Sequence, residues 1–449
     1  MTDTGAGTRF WEVAQALESR WPETRMEPSL DRIRLLMDLL GEPQRSFAAV
    51  HITGTNGKTS VARMTDALLR ELGLRVGRYT SPHLQDVRER ISIGGEPIGE
   101  EAFVAAYDDV LPYVTMVEER LGLPMSFFEV VTGMAYAAFA DAPVDVAVVE
   151  VGLGGAWDAT NVIDAEVACF TPIAVDHAHL LGDDLQDIAT EKSGIIKPDS
   201  FVVSAEQQPV VADVLARRSA EVGATIARES VEFGVRTQDV AVGGQMLGLQ
   251  GLAAFYDEVF VPLHGAYQAA NAAVALAAVE AFVGRGSKEL DADAVGAAFA
   301  SAHTPGRLEV LRRNPTVLVD ASHNPAGMQA TVAALEDSFS FRRLVGVVGI
   351  MREKDVMGVL EALEPVLDAV VVTRNNSDRS MPPEELGELA EEVFGSDRVT
   401  VTSRLDDALD TAVGLAEQDT EMVGGVGVLV TGSVATAGDA RILLGGSVA

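Results

Sequence analysis

The stretch His51-Ile52-Thr53-Gly54-Thr55-Asn56-Gly57-Lys58-Thr59-Ser60 constrains this chain more than any other. An apolar run, Phe47-Ala48-Ala49-Val50, leads into it, and the helix-compatible run 61–69 follows. That order is strand, glycine loop, helix. Glycines let backbone N–H groups approach a polyphosphate closely, and a helix N-terminus adds a favourable dipole. Lys58 supplies a point charge for the outer phosphates, and Thr59 or Ser60 offers a hydroxyl to Mg²⁺. Only Thr55 and Asn56 separate Gly54 from Gly57, whereas the common P-loop has four residues between its first Gly and Gly-Lys. The loop therefore reads as nucleotide-binding, of an unusual subtype. An ordinary glycine turn before a helix would not need Lys-Thr-Ser in register.

The chain has 449 residues, enough for two to three domains, and 47% of them are hydrophobic. Its one cysteine, Cys169, lies in an apolar run and excludes an intramolecular disulfide and a cysteine-based zinc site. Thr8 to Arg25 mixes Arg, Glu and Trp, so no signal peptide is expected. The longest uncharged stretch, Val259 to Val279, contains Pro262, His264, Gly265, Gln268 and Asn271 and is otherwise rich in Ala, so no membrane span is expected. A cytoplasmic protein with no membrane partner follows. The net charge of −33 argues against nucleic-acid binding and reads mainly as a solvated acidic surface. An anionic substrate then needs a local basic site.

Residues 9 to 40 read as helical, from Trp11, Val13, Leu17, Leu30, Ile33, Leu36, Met37 and Leu40 at near-helical spacing. Val144 to Val151 and Val167 to Thr171 read as buried strands ending in polar loops. Strands alternating with helices indicate an α/β fold whose P-loop-type sheet is mainly parallel, with ligands at the carboxyl ends of the strands. A second, Rossmann-like α/β series follows. Its strands are expected at Thr316–Asp320, Leu344–Gly349, Ala369–Arg374, Val399–Thr402 and Val426–Thr431, with helices such as Pro382–Phe394 and Leu405–Leu415. The expected division is an ATP-binding domain over 1–302 and a smaller domain over 303–449, joined near His303-Thr304-Pro305-Gly306.

Several clusters at strand ends carry chemistry. Glu150 ends an otherwise apolar strand, where a charge is costly unless paired or metal-bound. Asp158-Ala159-Thr160-Asn161 is a polar cluster able to fix a substrate. In Asp176-His177-Ala178-His179 either imidazole can ligate a metal, with His177 closer to the strand end. Glu191-Lys192 to Lys197-Pro198 resembles an ordinary helix end. Asp320-Ala321-Ser322-His323-Asn324-Pro325 and Thr431-Gly432-Ser433 end strands of the second unit, and Arg307 follows the interdomain joint.

Taken together, these segments resemble the folylpolyglutamate synthase and dihydrofolate synthase family of the Mur-ligase superfamily. The likeness runs over nearly the whole chain. Besides the glycine loop it includes Ser29-Leu30-Asp31-Arg32-Ile33, Thr80-Ser81-Pro82-His83-Leu84, Arg88-Glu89-Arg90-Ile91, Phe128-Glu129, Glu150 to Gly155, Asp158 to Asn161, Asp176-His177, Glu191-Lys192 and Lys197-Pro198. His264-Gly265-x-Tyr267-Gln268-x-x-Asn271, Pro305-Gly306-Arg307 and Asp320 with His323-Asn324-Pro325 complete it.

The resemblance implies ATP-dependent amide-bond formation, in which a folate γ-carboxylate or the carboxylate of dihydropteroate becomes an acyl phosphate and is then attacked by the amine of L-glutamate. It also implies ATP contacts from Asn271, Arg307 and Asp320, and Mg²⁺ at two sites held by Ser81, Glu150, His177 and a carbamylated Lys192. Lys58, Lys192 and His323 would carry catalysis, and Phe128, Asp158, Ala159, Arg88 and Ser433 would contact substrate. A bifunctional monomer whose domains close over small-molecule substrates is the expected state. Asp86 departs from the family pattern, which often has Arg there, and Thr59 stands where many bacterial members have Gly. Two alternatives remain open: another amino-acid ligase of the superfamily, and a regulatory P-loop module without ligase activity. About fifty residues precede the loop, too few for the extra N-terminal domain of cell-wall ligases.

Overall fold

A computed structural model describes residues 4–22, 28–418 and 425–447. The first large sheet contains β1 (Ala48–Thr53), β2 (Val76–Tyr79), β3 (Ile91–Ile93), β4 (Glu96–Pro97), β5 (Val146–Glu150), β6 (Val167–Phe170), β7 (Phe201–Ser204) and β8 (Thr225–Arg228). Their order is β4-β3-β2-β5-β1-β6-β7-β8. The six strands from β2 to β8 in that order run parallel, and β3 and β4 are antiparallel additions at one edge. β5 and β6 are buried along their whole length, which is why their sequences are continuous apolar runs rather than alternating ones.

Helices cover both faces. Lys58–Glu71 and Ala266–Gly284 pack on one face, with Val61, Met64, Leu68, Val274 and Leu276 fully covered. Thr4–Glu18, Asp31–Leu39, Glu100–Leu121 and Phe127–Asp141 cover the other face beneath β1, β2 and β5. Leu185–Ser193 and Pro209–Val222 continue that layer under β6 and β7. The helix Ala266–Gly284 is long and apolar enough to cross a membrane by composition, but most of it is enclosed in this core. The uncharged stretch of the sequence is thus a strand end followed by a core helix.

A three-stranded antiparallel sheet, β9 (Gly234–Ala241), β10 (Gly244–Gln250) and β11 (Phe255–Val261), lies against the same core. The sequence reading did not anticipate it, because much of β9 is exposed and polar and carries no alternating apolar signal. The region 9–40 also divides into two helices rather than reading through. A turn ends the first after Glu18, and residues 23–27 lie outside the described residues.

The second sheet comprises β12 (Glu309–Arg313), β13 (Thr316–Val319), β14 (Phe341–Val348), β15 (Ala369–Val372), β16 (Val399–Val401) and β17 (Gly425–Thr431), in the order β12-β13-β17-β14-β15-β16. β12 is an antiparallel edge and the other pairings are parallel. Pro325–Ser338, Val356–Leu363 and Pro383–Phe394 cover one face, and Leu405–Glu417 with Val434–Leu443 the other. The carboxyl ends of β1, β2, β5 and β6 open onto the same cleft as the carboxyl end of β13.

Candidate active site in the interdomain cleft

The loop after β1 is built around two glycines that no other residue could replace without displacement. A side chain on Gly54 (φ +147°) would meet the Thr171 hydroxyl at 1.9 Å, and one on Gly57 (φ +91°) would meet the Asn271 side-chain oxygen at 2.6 Å. Thr55 pins the loop to the end of β6, its N–H donating to Pro172 O at 2.9 Å and its hydroxyl to Ala174 O at 2.9 Å. Gly57 caps the helix that begins at Lys58, so that helix's first N–H groups face the cleft. This is an anion cradle.

Two lysines meet at one carbonyl of this loop. Lys58 Nζ donates to Gly54 O (3.2 Å) and Thr55 O (3.1 Å), and Lys192 Nζ donates to Gly54 O at 2.9 Å. Burial lowers the pKa of both, Lys192 to about 7, with the charge of Lys58 adding to the effect. Opposite them, Glu150 is only 1% exposed and burial raises its pKa, against the pull of Lys58. Its carboxylate accepts the Thr59 hydroxyl (3.0 Å to each oxygen) and the Ser81 N–H (3.3 Å). Thr59 is therefore the hydroxyl beside the carboxylate. Ser60 is buried and faces Gln268, whose Nε2 lies 3.5 Å from its Oγ.

The second domain closes the other side. Asn56 and Asn324 exchange amide hydrogen bonds across the cleft (3.2 and 3.1 Å), and Asn324 also caps the helix Pro325–Ser338. Asp176 accepts from Lys354 Nζ (2.7 Å) and Asn324 Nδ2 (3.1 Å), and His323 Nε2 lies 3.6 Å away. Burial works to raise Asp176, but His323 and Lys354 outweigh it and hold this carboxyl well below its usual range. His177, against Lys354 at 3.2 Å, is held at about 3 by burial and that neighbouring charge, and so stays a neutral imidazole near pH 7. The side chain of His179 lies outside the described residues.

The cleft wall brings together Gly54 to Ser60, Ser81, Glu150, His177, Lys192, Asn271, Arg307, Asp320 and His323. Asn271 donates to Gln268 Oε1 at 3.0 Å, and the Arg307 guanidinium is bonded only to Gly306 O (3.2 Å) among the described residues. Asp320 is already engaged: its oxygens accept from Leu308 N (2.8 Å), Ser322 N (2.9 Å) and the Thr331 hydroxyl (3.0 Å). That bonding makes it a brace for the joint as much as a ligand contact.

Five expected substrate residues do not line this cleft. Arg88 is bound to Asp86 (2.7 Å) and lies over the Phe10 ring, so its charge is consumed locally. Ser433 caps the helix Val434–Leu443 and bonds Asn375 at 3.1 Å. Phe128 packs beside Tyr79, directly under Gly152, where any side chain would strike its ring. Asp158 is 1% exposed, accepts from Leu153 N and Thr160 N (2.9 Å each), and is raised to about 6 by burial. Ala159 is buried beside it in a short turn. Conversely, Lys354 and Arg63 reach the cleft or its closing contacts without having been singled out. The signal for Lys354 was present: it follows β14, an apolar run of the kind that delivers Glu150 and Asp320.

The Mur ligase middle domain matches residues 52–279, and the Mur ligase, glutamate ligase domain matches 306–434. The chain is 52% identical to the dihydrofolate synthase/folylpolyglutamate synthase of Mycobacterium tuberculosis, over 97% of this chain and 93% of that one. It superposes on Mycobacterium tuberculosis folylpolyglutamate synthase complexed with ADP and AMPPCP with a TM-score of 0.94 at 51% identity, covering 99% and 100% of the two chains. Against E. coli FolC in complex with DHPP and ADP the TM-score is 0.84 at 28% identity, covering 98% of each chain.

Fold and cleft thus define a two-domain, ATP-dependent ligase. Within that class, the chain belongs to the folylpolyglutamate synthase/dihydrofolate synthase family of Mur ligases.

Proposed function

We propose that the cleft joins L-glutamate both to dihydropteroate and to the γ-carboxylate of tetrahydrofolate. The observation that carries this reading is the meeting of Lys58 and Lys192 at the Gly54 carbonyl, opposite a buried Glu150 and facing a second domain. An acceptor carboxylate oxygen attacks the γ-phosphorus of ATP, and ADP leaves. The amine of glutamate then attacks the acyl carbon, and phosphate leaves with the bond to that carbon, the ammonium proton being lost. Lys58 and the loop N–H groups offset repulsion between the two anions and stabilise charge on the transferred phosphoryl. Asn271, Arg307 and Asp320 border the nucleotide, and His323 sits where the second domain closes.

The donor set suits Mg²⁺: the Glu150 carboxylate, the Thr59 and Ser81 hydroxyls and the neutral His177 imidazole are hard or borderline ligands. Among the described residues no group of three or more His, Cys, Asp or Glu side chains is arranged to hold a metal ion by itself. When bound, it neutralises phosphate charge. Lys192 would serve a second cation as a carbamate, formed when its neutral amine adds to CO₂ and a proton departs. The populated neutral amine and the repulsion from Lys58 support that modification. A native mass spectrum in bicarbonate should carry one added CO₂ that Lys192→Met lacks.

The bifunctional reading is supported by the double name of the Mycobacterium tuberculosis relative. The division at 302/303, a monomeric state and a cytoplasmic location complete the proposal. Phosphate release from ATP with L-glutamate and dihydropteroate, tetrahydrofolate or no acceptor, with products weighed by mass spectrometry, tests it. Turnover on both acceptors is expected. Folded, ATP-binding protein that turns over neither would overturn the substrate assignment.

A further inference from the structure

Arg63 lies on the helix Lys58–Glu71 and on the wall of the cleft, beside the loop Thr80–Leu84. Among the described residues it makes no hydrogen bond and no ion pair, and its Nε is buried without a partner. The carboxylates whose charge it feels are all engaged elsewhere. Asp66 pairs with Arg78 at 2.7 Å. Glu89 accepts the N–H groups of Leu84 (2.7 Å), Gln85 (3.0 Å) and Asp86 (2.9 Å). Glu150 holds Thr59 and Ser81. Burial, reinforced by Arg78, pushes the Arg63 guanidinium down to about 9, so its charge is under-compensated in the free protein.

We propose that Arg63 binds a carboxylate of a substrate in this cleft. The inference rests on the ligase reading above and adds a residue to it. A guanidinium presents a planar fork of N–H donors that matches a carboxylate with two parallel bonds, and an open fork on a cleft wall is a vacancy for such a group. The ATP phosphates are served by Gly54–Ser60 and Lys58. Arg63 is five residues beyond Lys58 along the helix, about 7.5 Å along its axis at about 1.5 Å per residue. The reaction offers two sources of carboxylate: the acceptor, and the carboxylates of the incoming glutamate that do not react.

The test compares wild type, Arg63→Gln and Arg63→Lys by steady-state KM for ATP, acceptor and L-glutamate. Calorimetric titration of ADP, and of L-glutamate and dihydropteroate into the ADP-bound protein, gives a readout that does not depend on turnover. The expected result is a rise of about tenfold or more in KM and Kd for one carboxylate substrate in Arg63→Gln. ADP affinity should be unchanged and the effect partly reversed in Arg63→Lys. If glutamate is the partner, the wild type discriminates against L-isoglutamine, its α-carboxamide, and Arg63→Gln does not. If the acceptor is the partner, glutamate parameters stay fixed and dihydropteroate affinity falls. Unchanged affinity for both carboxylates overturns the proposal, as does a parallel loss of ADP affinity, which marks a phosphate or structural role. Should Arg63→Gln fail to fold, Arg63→Lys and the wild-type isoglutamine comparison decide. A wild type that binds these carboxylates through Arg63 without forming product rejects the ligase reading alone. Normal turnover with an indifferent Arg63→Gln rejects this proposal alone.

Discussion

Lys58 rests on the carbonyls of Gly54 and Thr55, a position from which it can swing to a phosphate without breaking any side-chain ion pair. Lys58→Met should therefore leave the thermal midpoint close to wild type while lowering kcat by about a hundredfold or more, as read by phosphate release. His51 shows the opposite balance, since its importance is for stability. It is fully buried in β1, its Nε2 lies 2.8 Å from the Thr160 hydroxyl, and its Nδ1 has no partner among the described residues. That hydroxyl donates to Asp158, so His51 is assigned the neutral tautomer protonated on Nε2. Burial lowers its pKa from 6.5 to about 3. Between those values the unfolded chain binds the extra proton, so its stabilising contribution is complete above pH 6.5 and is lost as pH falls toward 3. From pH 7 to pH 5 the loss is about 2 kcal/mol, and urea titrations of His51→Asn should lack that increment of slope.

At the scale of elements, the loop between β2 and β3 is clasped by the helix Val434–Leu443. Gly438 lies so close that a Cβ there would stand 1.9 Å from the Leu84 carbonyl oxygen. Arg441, 1% exposed, binds Glu309 at 2.8 Å and the Gln85 side chain, tying that loop to the second domain. Because the same loop carries Ser81 to Glu150, the clasp sets one edge of the cleft. Gly438→Ala should push loop and helix apart and lower kcat/KM by about tenfold, with ADP affinity reduced less than turnover. Wild-type kinetics in that variant would separate the clasp from catalysis. The parallel strands and their helices were legible in the sequence, as the apolar runs at Val146–Glu150 and Val428–Thr431 illustrate. The sheet of β9 to β11 was not, because its exposed residues carry no periodic apolar signal.

At the scale of the whole molecule, the polar contacts across the cleft include Asp176 with Lys354, Asn324 and His323, Asn56 with Asn324, His177 with Lys354, and Gln85 with Arg441 and Gly446. Asp176 and Lys354 are 11% and 8% exposed, so losing one partner strands a largely buried charge. Lys354→Met should relieve this by opening. A larger radius of gyration in X-ray scattering and a drop of about tenfold in kcat/KM are expected. Unchanged scattering with unchanged kinetics would show that closure does not depend on this pair. Nucleotide should act as a stabiliser of the folded chain: ADP at a hundredfold excess over its Kd adds about 2.7 kcal/mol to unfolding, visible as a rise in thermal midpoint.

Local order along the chain was sufficient to place the glycine loop between a strand and a helix, the parallel α/β plan and the residues at strand ends. Gly54 to Ser60, Glu150, His177 and Asp320 were legible because each follows an apolar run, and that pattern is a local property of a buried strand. Partnership across the cleft was beyond it. Nothing adjacent in sequence says that Asn56 meets Asn324, 268 positions away, or that Asp176 meets Lys354, 178 positions away. Nor does sequence order say that Arg88 is neutralised by Asp86 while Arg63 finds no partner among the described residues. Hydrogen bonds and ion pairs across the cleft depend on distances of about 3 Å, and those are set only when the two separately folded domains meet at the carboxyl ends of their strands.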